Sequence, residues 1–104
     1  MKTLAEEYHE FFTALLERFE LELCVGDRRT IIVQRRRFLW FKLESEPVGE
    51  LTEQPKVNGD RLEGPMSLVA YSVKGNPVYS LATAFKERFG DRHHLSTRVT
   101  LSPD

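Results

Sequence analysis

The chain has 104 residues, of which 40% are hydrophobic and 30% charged, with one cysteine and a formal net charge of −1. That length supplies one hydrophobic core and under-supplies a second, so residues 1–104 are expected to form a single domain, and the aromatic content excludes a disordered chain. Cys24 stands alone, which excludes an intrachain disulfide scaffold. No signal peptide is visible after Met1, and no apolar run approaches the ~20 residues of a membrane span, so a cytoplasmic protein with no membrane segment is expected.

The near-neutral total hides a segregated pattern. Residues 1–24 sum to −4, 25–43 to +5, 44–65 to −4 and 66–104 to +2. Only one stretch is strongly basic, so the whole molecule would not be drawn to nucleic acid or anionic lipid by its overall field, although a local patch would be.

Thr3 followed by Glu6 has the form of a capping box, and Leu4, Tyr8, Phe11, Phe12, Leu15, Leu16 and Phe19 recur at helical spacing. An amphipathic helix with an acidic outer face is predicted. From Phe19 the period changes to two, with Leu21, Leu23 and Val25 alternating with Glu20, Glu22 and Cys24, as in a half-buried strand. The rival reading continues the helix to Cys24 and stops it at Gly26. If Gly26 to Arg28 connects two strands, Leu23 falls opposite Ile31 and Leu21 opposite Val33, which places apolar residues on one shared face.

Residues 29–44 are rich in β-branched and aromatic types without Gly or Pro. They are long for one strand, so either the chain bends back near Arg35 to Arg37 or one strand continues through. Residues 45–65, with Pro47, Gly49, Pro55, Asn58, Gly59, Gly64 and Pro65 among polar groups, read as a long polar loop in which Asn58-Gly59 nucleates a small hairpin. Ser67 to Val73 returns to strand character. Asn76 then suits an N-cap and Pro77 the first helical position, with Val78, Leu81, Ala82, Phe85 and Phe89 forming an apolar stripe before Gly90. Leu95, Thr97, Val99 and Leu101 alternate as a closing strand. The predicted fold class is α+β, a mainly antiparallel sheet of about four to five strands packed by two amphipathic helices, in the order α-β-β-(β)-loop-β-α-β.

The candidate functional residues are Arg35, Arg36, Arg37, Phe38, Trp40 and Lys42. On a strand, Ile31, Val33, Leu39, Phe41 and Leu43 share one parity with Arg35 and Arg37, while Ile32, Phe38 and Trp40 share the other with Arg36 and Lys42. Both faces therefore carry large apolar groups. If the first parity packs under the helices, Phe38 and Trp40 lie outside beside Arg36 and Lys42 and need a cover. The acidic 45–65 segment or the acidic helix face, another protein or a second copy of the chain, and single-stranded nucleic acid stacking on the aromatics are the three covers considered. A non-enzymatic interaction or regulatory module, self-associating through its sheet, is the leading expectation, with nucleic-acid binding as the alternative.

A third class is a small enzyme. Cys24 with His9, His93 or His94 would supply a nucleophile and base, and Asp91 with His93 two metal ligands on one face. Adjacent His93 and His94 point to opposite faces of a strand, no third spaced ligand follows, and the glycines are scattered singly rather than gathered into a phosphate-binding loop. No catalytic residue, cofactor or metal is assigned.

Overall fold

The computed structural model describes residues 2–38, 42–90, 93 and 95–102, and for 36–38 and 42–43 the backbone alone. The first helix, α1, spans Leu4–Arg18 and opens as its sequence predicts, the Thr3 side chain accepting a hydrogen bond from the Glu6 amide at 3.2 Å. It does not run on to Cys24. Phe19 caps it, and Glu20 turns the chain with φ 57°, a left-handed conformation usually left to glycine.

The strands are β1 (Leu21–Val25), β2 (Thr30–Phe38), β3 (Lys42–Glu53), β4 (Lys56–Asn58), β5 (Arg61–Glu63), β6 (Pro65–Ala70) and β7 (Ser96–Leu101). Five of them form one sheet in the order β1-β2-β3-β6-β7, antiparallel except for the parallel pair β6·β7, which the second helix, α2 (Pro77–Phe85), connects. A parallel neighbour needs such a crossover, because a tight turn cannot reverse the chain twice. The fold is α+β with a mostly antiparallel sheet and two helices.

Several local expectations change. The β1–β2 connection takes four residues, Gly26 to Arg29, closed by the Gly26 amide donating to the Arg29 carbonyl at 2.8 Å. Leu23 consequently faces Ile32, and Leu21 faces Gln34, not Ile31 and Val33. The slip of one residue reverses the faces: Ile32 is fully buried under the helices, whereas Ile31 and Val33 are half-buried on the other side. Nor does the chain bend at Arg35 to Arg37. Strand β2 carries straight through them to Phe38, and β3 returns from Lys42.

The expected long polar loop 45–65 is largely strand. Strand β3 extends to Glu53, because backbone pairing to β2 on one side and β6 on the other satisfies its amides whatever its side chains. Pro47, which has no N–H, sits beside a bulge at Val48, where the register against β2 shifts. The small hairpin at Asn58-Gly59 does form: Asn58 pairs with Arg61, and Gly59 takes φ 65° at the first turn position, as a type II′ turn requires.

The helices lie together on one sheet face. Tyr8, Phe11 and Phe12 of α1 meet Phe85 and Phe89 with ring centroids 5.1–5.9 Å apart, three of the contacts edge-on between Phe rings. Beneath them lie Leu21, Ile32, Leu51, Met66, Leu68 and Ala70. Gly49 is the point of closest approach: a Cβ there would stand 2.2 Å from the Val69 carbonyl oxygen and 2.8 Å from Val78 Cγ2. Its lack of a side chain lets α2 settle on β3. After Phe85 the helix widens into a π-turn, Lys86–Gly90, that buries Phe89.

Candidate binding surface

The β2–β3 hairpin is longer than its neighbours. Strand β1 pairs with β2 only as far as Gln34, and β6 pairs with β3 only from Gly49 onward. Past Arg35, whose amide donates to the Glu20 carbonyl at 2.9 Å, no third strand among the described residues flanks the backbone pairs Arg36 with Glu44, Arg37 with Leu43 and Phe38 with Lys42. This stretch is a two-stranded ribbon rising about 10 Å beyond β1, at ~3.3 Å per residue.

The sequence-predicted site falls on that ribbon. Arg35 stands at its root, exposed, with Nε 3.8 Å from Glu22 Oε2. Arg36, Arg37, Phe38 and Lys42 follow along its two strands. Trp40 lies outside the described residues. The topology therefore brings Arg35, Arg36, Arg37, Phe38 and Lys42 to one projection.

Below the ribbon, the sheet face away from the helices displays Cys24, Ile31, Val33, Glu50 and Val69, since Cys24 pairs with Ile31, Ile31 with Glu50 and Glu50 with Val69. Of the parity that would leave Phe38 and Trp40 outside, Ile31 and Val33 thus lie on this open face and not under the helices. Glu50 is only 16% exposed and accepts from Arg29 Nε at 2.6 Å, while Arg29 Nη2 donates to Tyr71 Oη at 3.3 Å. The Arg29 hydrogen bond holds the Glu50 carboxyl below its usual range against the opposing effect of burial. Desolvation, then the charge of Glu50, raises the Tyr71 phenol. This trio was not read from the sequence. Its members lie 21 and 42 positions apart, and only the β2·β3·β6 register joins them.

The enzymatic expectations separate in space. Cys24 is exposed on the open face, with the sheet between it and the helices that carry His9 and neighbour His93. Among the described residues Cys24 therefore meets neither His9 nor His93 as a base. Asp91 and His94 lie outside the described residues, and the His93 ring packs 5.9 Å from that of Phe89 with its Nε2 buried. Among the described residues no group of three or more His, Cys, Asp or Glu side chains could hold a metal ion, and no helix is long and apolar enough to cross a membrane.

Comparison with protein-family models, with curated proteins and with solved structures finds no match to this chain, so what it does has to be argued from the ribbon and the sheet themselves.

Proposed function

We propose that this chain is a non-enzymatic protein–protein interaction module that engages a protein partner, in the simplest case a second copy of itself, through the β2–β3 ribbon. The observation that carries this reading is the mismatch in strand length. A ribbon that no third strand flanks among the described residues is marginally stable in water, because its backbone edges are left unpaired. A partner strand or surface that pairs with those edges supplies what they lack.

The residue types suit that role. Arginine and tryptophan are enriched among the residues that dominate binding energy, because each offers a large, partly apolar surface together with directional donors. Arg35, Arg36, Arg37, Phe38, Trp40 and Lys42 concentrate them within eight positions. The acidic residues Glu44 and Glu46 on the returning strand keep the ribbon from being a uniformly cationic surface, which favours a protein over a polyanion.

The test shortens the ribbon. Residues 35–45 are replaced by Asn-Gly, a two-residue turn that joins the paired positions Gln34 and Glu46 and leaves the five-stranded sheet intact. Light scattering and partner titrations should show complexes made by the full protein that the shortened, still cooperatively folding variant does not make. A shortened variant with unchanged assembly and unchanged partner binding refutes the reading. Salt-sensitive binding of single-stranded RNA or DNA, lost when Arg35, Arg36 and Arg37 become Glu, would instead assign the ribbon to nucleic acid.

A further inference from the structure

The sheet has two outer strands, and they are protected unequally. Strand β1 carries the exposed Glu22 as its second residue, an acidic charge that opposes edge pairing, where β7 has only Arg98. Strand β7 has six residues, Ser-Thr-Arg-Val-Thr-Leu, in unbroken register with β6, without a bulge, a proline, a lysine or an acidic residue. Among the described residues α2 and its π-turn cover one of its faces, and no strand pairs with its outer edge.

Which backbone groups line that edge follows from one hydrogen bond. The Ser102 amide donates to the Ala70 carbonyl at 2.8 Å, so Ser102 points its backbone groups at β6. Successive residues of a strand alternate, so Arg98 and Thr100 also turn toward β6, whereas Thr97, Val99 and Leu101 turn their N–H and C=O groups outward. Leu101, on the same side-chain parity as the half-buried Val99, is 48% exposed.

We infer that β7 is a self-pairing edge: two copies of the chain join through antiparallel β7 strands about a two-fold axis at Val99, fusing their sheets into one of ten strands. The two-fold register that pairs Val99 with itself sets each outward-pointing residue against another, Thr97 against Leu101 of the second copy and the reverse. It keeps both pairs of helices on the same face of the joined sheet and lays the exposed Leu101 against a neighbour. It also places Arg98 opposite Thr100, a neutral pairing. Moving the axis to Arg98 would set that arginine against its own copy, and moving it to Thr100 runs Thr97 past the end of the strand at Leu101. Because β6 separates β7 from β3, the two ribbons stay free, and the dimer presents both of them. The inference does not rest on what the ribbon binds.

Sedimentation equilibrium of the full chain, from low micromolar to millimolar concentration, tests it with two substitutions of opposite sign. Thr100 is exposed and its side chain faces away from the helices, so exchanging it leaves the core untouched. Thr100→Glu creates two symmetric Glu–Arg98 cross-strand pairs and should tighten the dimer, and Thr100→Arg creates two Arg–Arg oppositions and should loosen it, each by about two- to thirtyfold in Kd. Repulsion between whole molecules predicts the reverse order, because Thr100→Glu raises the net negative charge. The expected wild-type mass therefore rises with concentration toward twice 12.1 kDa. A chain that stays monomeric throughout, or a dimer that responds equally to both substitutions or to neither, overturns the inference. Loss of the dimer on shortening the ribbon would transfer the self-contact there and overturn it as well.

Discussion

Asn76 ties three parts of the molecule together, and its replacement gives the sharpest test of how the ribbon's base is built. Its Oδ1 accepts from the Val78 amide at 2.9 Å as the N-cap of α2, while its Nδ2 donates to the Val48 carbonyl at 2.8 Å and to the Ser72 carbonyl at 3.1 Å. Asn76→Ala removes the cap, about 1 kcal/mol, and the two donated bonds, about 1 kcal/mol more because Val48 keeps the Tyr71 amide. A loss of ~2 kcal/mol lowers the Tm of a chain this size by about 8–16 °C. Asn76→Asp is nearly isosteric and keeps the cap, yet it aims a carboxylate oxygen at two carbonyl oxygens in a site only 7% exposed. An uncompensated charge there costs about 3 kcal/mol or more at neutral pH, equivalent to a folded-state pKa raised ~2 units above the usual 3.9. The sign follows: the unfolded Asp loses its proton first, so the variant weakens as pH rises through about 4 and levels off near 6. Below pH 4 the protonated acid donates to Val48 much as the amide does. Urea unfolding of wild type, Asn76→Ala and Asn76→Asp between pH 4 and 7, followed by circular dichroism, measures this. If Asn76→Asp matches wild type at pH 7, or its deficit does not change with pH, the bridge from α2 to the β3 bulge is not made by this amide.

Gly49→Ala forces a Cβ against the Val69 carbonyl and Val78; overpacking of this kind should cost about 3 kcal/mol and be read as a lower urea midpoint at unchanged slope. Arg29→Met should return the Glu50 carboxyl toward its ordinary pKa, observable by carbon-detected NMR titration, since Arg29 is the main group holding it down. The native Glu50 contribution is present above the usual Glu range and is lost as pH falls through its depressed pKa. Tyr8 Oη is buried without a hydrogen-bond partner among the described residues, so Tyr8→Phe should leave stability unchanged or raise it by up to about 1 kcal/mol in thermal melts at pH 7. Above pH 10 the gain should widen, because burial holds the native phenol un-ionised while the unfolded one ionises.

Elements whose boundaries are written in local chemistry were legible in the sequence. Thr3 and Asn76 cap the helices where their side chains imply, and the aromatic stripe from Tyr8 to Phe89 forms the helix-side core. What escaped was decided by distant partners. Ile31, Ile32 and Val33 are three β-branched residues in succession, so their own pattern does not choose a face; the four-residue turn at Gly26 to Arg29 does. Helix α1 ends at Arg18, and the chain is turned two residues later by Glu20, which has no preference for the left-handed conformation it adopts. Strand β3 holds Pro47 and Gly49, which read as loop. In the sheet, Pro47 lies at a bulge and Gly49 under α2, positions where an ordinary residue would be wrong. The candidate site was legible as a composition, but its placement on a ribbon was not, because the lengths of β1 and β6 set it.

Those lengths also explain why one chain carries two different kinds of uncovered structure. Starting β1 at Leu21 and the β3–β6 pairing at Gly49 leaves the ribbon without a flanking strand on either edge among the described residues. The β6–α2–β7 crossover leaves β7 as an edge of six residues whose outward amides lie in one straight row. Side-chain anchors such as arginine and tryptophan select a partner by shape and charge, whereas a bare edge of threonine, valine and leucine offers mainly backbone geometry, which a second copy of the same strand meets by symmetry. The two surfaces are therefore separable, the ribbon acting through its side-chain anchors and β7 through its backbone edge. A substitution at Thr100 should accordingly change the β7 dimer without altering what the ribbon engages, and a shortened ribbon should remove the ribbon's complexes while leaving the β7 dimer in place.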